Sequence, residues 1–566
     1  MKKILFFIVC FIFISSCSEN KSAFKDSVAS DTENPDDDAQ MIDETEALFS
    51  PDHLIDVKIQ IDEQDWNKII LQGRGLATTM SSCSEDYEYT YFKAEVTVDG
   101  ETIKNVGVRK KGYLGSLSAI KPSLKINFGK FVDDQTYSGM KRMTLNNDKQ
   151  DPSHTHQVMS YALFKKAGVI TPRCNFSKVT VNGKDLGIYS HVESIKKPFL
   201  RRNFSSDEGN LYEGQIADFT PEQMKKFQLK TNEKDTDGLA ELEKVVEALY
   251  VTNTDLKKSV EKIIDLDSFL TFWAMESIVG HWDGYNGDKN NFYIYLNPDT
   301  GLFSFIPWGT DGAFKEGHGV LDPVPNSVYA WSQLAYRLYN SSDTRNLYHE
   351  KIKDLLESVW DSEELLTEID RIEKLVSPPK WALDEQKNYI LKRKEAILKE
   401  LVGEGPDWPY DPYGDVAECR EPTEIKGSFN TSWIEEDDFK DGTNISLEMT
   451  IYGQKQVFSA IYNDAGPVLN KDGIKTGNGE IRYYAVKAEG NPIFVILNIP
   501  SQIISDKSIP FHGLETFGAV YEIISDAGTS DPKRLGYIGD GSLTMIESGT
   551  EEGDRIVGSF EGLLSR

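Results

Sequence analysis

The chain has 566 residues, a formal net charge of −29 and a hydrophobic fraction of 39%. That length exceeds one core and implies about two to four domains, with enough apolar content for globular packing. A surface this acidic repels phosphate backbones, which excludes a nonspecific nucleic-acid binder and leaves no nucleic acid among the expected partners.

Lys2 and Lys3 precede an apolar run from Ile4 to Ile14, which ends at Ser15-Ser16-Cys17. The run is too short to span a bilayer as a mature helix, so residues 1–16 read as a secretory signal. Ile14-Ser15-Ser16-Cys17 resembles a bacterial lipobox, which makes Cys17 the lipidated first residue of the mature protein and a lipid membrane its partner. The expected location is the extracytoplasmic cell envelope. Ser18 in place of an Asp favours the outer over the inner membrane. Residues 17–50, rich in Ser, Asp, Glu and Asn, read as a disordered acidic tether. Once Cys10 leaves with the signal, Cys83, Cys174 and Cys419 remain beside Cys17. None has CxxC spacing, so no zinc site is expected, and an oxidising compartment allows one disulfide, with Cys83–Cys174 one open pairing.

The body is expected over residues 51–403. Ile55 to Ile61 alternates as a strand, Asp62 to Leu71 reads as a short helix, and Tyr87 to Val98 as a second strand closing at Asp99-Gly100. Strands with Gly turns follow to about Phe131. Asp151-Pro152-Ser153 opens a helix that Gly168 ends, and Lys178–Gly183 with Leu186–Val192 forms a hairpin. Pro221 to Gly280 and Ser341 to Val402 read as mainly helical, the latter interrupted at Pro378-Pro379. This gives an α+β body with a β-rich first lobe and a helix-rich second lobe. Residues 404–424 read as a Pro/Gly/aromatic linker. Residues 425–566 carry short strands between Gly- and Asp-rich turns, the pattern of a small all-β sandwich.

Gly280 to Phe314 concentrates oxygen-bearing side chains. Phe292–Leu296 reads as a strand, Asn297–Gly301 as a turn and Leu302–Trp308 as the return strand. Such a hairpin brings its open ends together. Asn291 at the entry, Asp311 at the exit and Asp283 just upstream therefore converge at one edge. Oxygen donors suit a hard cation such as Mg²⁺. Asn290 competes with Asn291 for the same role, and Asp288 reads as a loop charge. His154 and His156, two apart, point to different faces of a helix and make poor joint metal ligands. Gly107, Gly112 and Gly115 do not form a dependable phosphate loop.

Several ordered blocks carry a family resemblance. They are Val108-Arg109-Lys110-Lys111-Gly112 with Lys121-Pro122-Ser123-Leu124-Lys125-Ile126, then Leu145-Asn146-Asn147 through Glu193 to Gly209-Asn210-Leu211-Tyr212. Trp282-Asp283-Gly284-Tyr285, Asn291-Phe292-Tyr293-Ile294-Tyr295 and Ile306-Pro307-Trp308-Gly309-Thr310-Asp311 complete the set. Over about residues 51–403 they resemble the spore coat protein H (CotH) kinase-like family, a group of atypical protein kinases. The resemblance implies a two-lobed kinase-like domain. It implies ATP with Mg²⁺ or Mn²⁺, and transfer of the γ-phosphoryl group to Ser/Thr hydroxyls of a secreted or surface protein substrate. It gives Asp283 the acceptor hydroxyl to orient, Asp311 and Asn291 the metal, and Lys125, with Lys121 as rival, and Arg109 the phosphates. Glu193 is the implied partner of that lysine.

Two departures stand out. Gly309 replaces an Asp usual in the family, and Gly287-Asp288-Lys289 lengthens the spacing from Asp283 to Asn291. If the loop admits a side chain, Gly309→Asp is expected to be neutral or activating. The same departure leaves room for an inactive surface scaffold that binds a protein or glycan. Nucleotidylation on the same scaffold is a third reading.

Overall fold

The structure is a computed structural model. It describes residues 45–565, apart from 74–87, 113, 234–237, 317–323, 410–421, 435–444, 452, 470–474, 502–503, 505–507, 512–515 and 527–528. The expected signal, Cys17, most of the tether, Cys83 and Cys419 lie outside the described residues. Cys174 is half-buried with a free thiol.

The first part of the body is a closed barrel of seven strands: β1 (Leu54–Ile61), β2 (Phe92–Val98), β3 (Glu101–Lys111), β4 (Ser123–Asn127), β5 (Arg142–Asn146), β6 (Cys174–Val181) and β7 (Lys184–Val192). Their order is β1-β2-β3-β4-β5-β7-β6, and β1 closes the ring by pairing parallel with β6, Leu54 opposite Phe176. Alternation puts Val57, Ile59, Val96, Val108, Ile126, Leu145 and Val179 inside, all buried. The tight turns after β2 and β6 fall at Asp99-Gly100 and Asn182-Gly183, with positive φ at all four residues, as two-residue hairpins require. One barrel end is plugged by the segment before β1. The Asn175 amide donates to the carbonyls of Leu48, Ser50 and His53 at 3.2, 2.8 and 2.6 Å, and Phe49 stacks on His191 at 4.7 Å.

The second part is mainly helical around a small sheet. That sheet contains β8 (Leu211–Gly214), β9 (Gln228–Leu229), β10 (Phe292–Asn297) and β11 (Leu302–Pro307), in the order β11-β10-β8-β9. The helix Leu266–Val279 runs behind it and is buried along nearly its whole length, so its sequence is apolar all round rather than amphipathic. Gly280 stops it in the left-handed conformation at φ 65°. Helices Ser362–Val376 and Lys380–Glu400 flank the Pro378-Pro379 break. Pro406 and Trp408 still belong to this body. Tyr339 donates to the Pro406 carbonyl at 2.6 Å and Trp408 packs edge-on against Trp331 at 4.4 Å. Among the described residues no helix is long and apolar enough to cross a membrane.

The C-terminal region is all β, and its described residues form one hydrogen-bonded sheet of ten strands rather than the two sheets of a sandwich. Its strands are long, and Thr529–Glu547 carries two register shifts against Arg555–Ser565. Such bulges bend strands, and a parallel bridge from Trp433 to Ala465 brings Thr423–Ser432 against Phe458–Leu469. The sheet thus curls around its own core of Ile425, Phe429, Tyr483, Val495, Leu497 and Phe560.

Candidate active site between the barrel and the helical body

Asp283 follows Gly280 in a turn fastened from below. Glu276, in the last turn of the helix Leu266–Val279, accepts the backbone N–H groups of Tyr285 and Asn286 at 3.0 and 2.9 Å and the Asn286 amide at 2.6 Å. Burial pushes the Glu276 carboxyl up to about 8. The additional residues Gly287-Asp288-Lys289 are absorbed by a single helical turn, Tyr285–Asp288, which Lys289 ends at φ 56°. Asn291, itself at φ 50°, then reaches back. Its amide donates to Asp283 Oδ2 at 2.7 Å and to the Asp283 carbonyl at 3.0 Å, while Asn290 donates to Asp283 Oδ1 at 3.1 Å. Both asparagines therefore serve Asp283. Burial, then the charges of Asp288 and Asp311, raise the Asp283 carboxyl well above its usual range.

Asp311 sits in the short turn Thr310–Gly312 after β11. A Cβ built on Gly312 would lie 3.7 Å from Asp283 Cβ, which sets this turn beside Asp283, and the charge of Asp311 acts on the Asp283 carboxyl. The barrel side reaches Asp311 through the segment after β5. Gln150 Nε2 donates to Asp311 Oδ2 at 3.3 Å, and His156 Nδ1 donates to the Asp311 carbonyl at 2.7 Å. Asp151 Oδ2 holds the His156 N–H at 2.7 Å. His156 thus ties the segment after β5 to the backbone of Asp311. Burial raises the Asp311 carboxyl, opposed by the charge of Lys111.

Three cations gather on one face of β3 and β4. Arg109 and Lys111 are two apart on β3, and Lys125 lies opposite Arg109. Burial lowers Lys111 to about 8 against the pull of Asp311, and its amine donates to Asn146 and sits 5.9 Å from the Trp308 ring centre. Burial and then Arg109 lower Lys125 to about 7, opposed by Glu213 on β8. The Arg109 guanidinium also lies over the rings of Tyr89 and Tyr91, 5.7 and 5.1 Å away. Lys121 is placed differently. Its amine donates to the Ile188 carbonyl at 2.6 Å and lies over Tyr189, so it braces the barrel wall. Glu193 pairs with Arg173 at 2.9 Å and with Arg202, so the expected pairing with Lys125 or Lys121 is replaced by two arginines. Lys111, Gln150 and Glu276 were not singled out from the sequence. Period-two alternation on β3 was the available signal for Lys111, which shares a face with Arg109.

Gly309 corrects a further expectation. Its φ is 53°, and a Cβ built there would lie 2.6 Å from Asn291 Cγ. The loop does not admit a side chain at this position without displacing Asn291. Among the described residues no three His, Cys, Asp or Glu side chains are grouped to hold a metal. The donors at hand are the two aspartates and amide oxygens. That set fits a hard, oxygen-seeking cation that takes one or two carboxylates and finishes its shell with neutral oxygens and phosphates.

A family model described as CotH kinase protein matches residues 108–403. Inner spore coat protein H of Bacillus subtilis is 25% identical over 248 residues, which span 41% of this chain and 67% of that protein. Spore coat protein homolog 1 of Rhizopus delemar is 22% identical over 233 residues, 38% of this chain, and the chain spans only 37% of that relative's length. The crystal structure of the Helicobacter pylori proinflammatory kinase CtkA overlaps 54% of this chain and 91% of its own, at 10% identity and a TM-score of 0.23. An overlap that loose carries no argument about fold or activity.

Proposed function

The chain belongs to the CotH kinase family, and from that premise we propose that it is an ATP-dependent protein kinase of the cell surface. It transfers the γ-phosphoryl group to Ser/Thr hydroxyls of secreted or surface proteins. The observation that supports this reading is that Asp283 lies beside the turn that carries Asp311 and feels its charge, with Lys111 acting electrostatically on Asp311 from the barrel side. Asp283, steadied by two asparagine amides, orients the acceptor hydroxyl and draws on its proton. Asp311 and the Asn291 side-chain oxygen would hold Mg²⁺ or Mn²⁺, which when bound neutralises charge on the phosphates. Lys111, Lys125 and Arg109 offer positive charge to phosphate oxygens. A loose transition state asks mainly for such placement and charge.

The test uses residues 17–566 with Cys17→Ala, γ-labelled ATP and Mg²⁺ or Mn²⁺, with mass spectrometry of the product. Asp311→Asn should weaken metal-dependent nucleotide binding and abolish transfer. Asp283→Asn should bind nucleotide and lose transfer. A parent that binds no nucleotide with either metal ends the kinase reading, and a nucleotide adduct would mean nucleotidylation instead. One observation favours a second reading, an inactive scaffold that binds a protein or glycan. Gly309 supplies no second carboxylate and leaves no room for one.

Location is part of the same proposal. Acyl chains on Cys17 anchor the protein in the envelope, because the sequence offers a lipobox-like motif there. Replacing Cys17 with Ala should move the protein from the detergent phase to the aqueous phase. Unchanged partitioning would remove the lipid anchor.

A further inference from the structure

The site is short of oxygen ligands. Asp311 is the carboxylate best placed for a metal, Asp283 is committed to Asn290 and Asn291, and Gly309 contributes no side chain. We propose that Gln150 is an oxygen ligand of the divalent cation, beside Asp311 and Asn291, in the place of the carboxylate that Gly309 lacks. The proposal rests on the kinase reading above.

Four observations support it. The Gln150 amide already points at the metal carboxylate, with Nε2 3.3 Å from Asp311 Oδ2. A half-turn of the amide about its last bond exchanges nitrogen and oxygen in place, so the group that donates to a bare carboxylate presents a carbonyl oxygen to a cation. The residue is fixed relative to Asp311. Lys315 donates to the Gln150 carbonyl at 3.2 Å, and the neighbouring Asp151 holds His156, which holds the Asp311 carbonyl. The amide also lies flat against Gly115, where a Cβ would come within 2.6 Å of Nε2 and 2.9 Å of Oε1. Only a glycine leaves that space. Gly115 therefore serves the metal through Gln150, not as part of a phosphate loop. A neutral amide oxygen suits Mg²⁺ or Mn²⁺, which accept side-chain carbonyls beside few carboxylates.

The competing role is a hydrogen-bond donor that merely steadies Asp311, and the variants separate the two. Mn²⁺ affinity is read by electron paramagnetic resonance of free Mn²⁺, with a non-hydrolysable ATP analogue present, on residues 17–566 with Cys17→Ala. Gln150→Ala should weaken Mn²⁺ binding about tenfold, the lower end for lost metal-site support. Gly115→Ala should weaken it similarly by pushing the amide aside. Gln150→Glu should bind Mn²⁺ more tightly than the parent, because it adds a charged oxygen where the amide oxygen stood. Parent-like affinity in Gln150→Ala overturns the proposal, and weakening by both Gln150→Ala and Gln150→Glu reduces Gln150 to a donor and overturns it too. Either result leaves the kinase reading standing. A parent that binds no Mn²⁺ with the nucleotide ends both.

Discussion

At Gly309 the backbone passes through φ 53° with the Asn291 side chain packed where a Cβ would stand. Left-handed backbone at a non-glycine residue costs about 1–3 kcal/mol when the surroundings enforce it. Gly309→Asp should therefore lower the denaturant midpoint and loosen the Asn291–Asp283 contact, and transfer should fall rather than rise. Parent stability with tighter metal binding would restore the expectation drawn from the family pattern. The residues of the hairpin were legible because a hairpin must bring its ends together, which sets Asn291 against Trp308 and Gly309, two residues before Asp311. Lys111 and Gln150 were not, because their meeting with Asp311 depends on how the barrel sits against the helical body. No local periodicity encodes that apposition. Glu193 misled for a different reason, since its partners are local: Glu193 sits opposite Arg173 at the open end of the β6–β7 hairpin. Its arginine partners come from Arg173, before β6, and from Arg202, in the helix Lys197–Asn203.

The helix Leu266–Val279 does more than fill the core. Its Glu276 carboxylate caps the turn that presents Asp283. With its carboxyl raised from 4.5 to about 8, the folded chain keeps a proton that the unfolded chain releases. The contribution of this group to stability is then full below about pH 4.5 and is lost as pH rises through about 8. Glu276→Gln should remove that part of the pH slope, measured as melting temperature against pH from 4.5 to 8.5. A slope identical to the parent's would mean that Glu276 stays ionised in the fold. At this scale the sequence reads well where one element declares itself. Gly280, Pro378-Pro379 and the alternating Ile55–Ile61 each mark what the structure contains. The inserted triplet gave no such sign, since four residues of helix are too few for a period. The C-terminal sandwich failed on connectivity. Strand alternation is the same in one curled sheet as in two packed sheets, and only the bulges and the Trp433–Ala465 bridge distinguish them.

At the scale of the molecule, among the described residues the C-terminal core shares none with the cores of the body. Chains 17–409 and 422–566, made separately, should each unfold cooperatively, because each carries its own buried apolar cluster and the body includes Trp408. Loss of the near-ultraviolet circular dichroism of 17–409 alone would show that the β region is part of the body. Barrel closure also carries an expectation for folding, because distant contacts cost more loop entropy to form. β1 is made first, yet its parallel neighbour β6 comes only after β2 to β5, so the Leu54–Phe176 seam is the most distant contact of the ring and is closed late. Until then Asn175 has no ordered carbonyls of Leu48, Ser50 and His53 to hold. The most nonlocal seam of the barrel therefore lies beside the contacts that hold Leu48 to His53, so closing the ring and fastening the residues just before β1 are coupled.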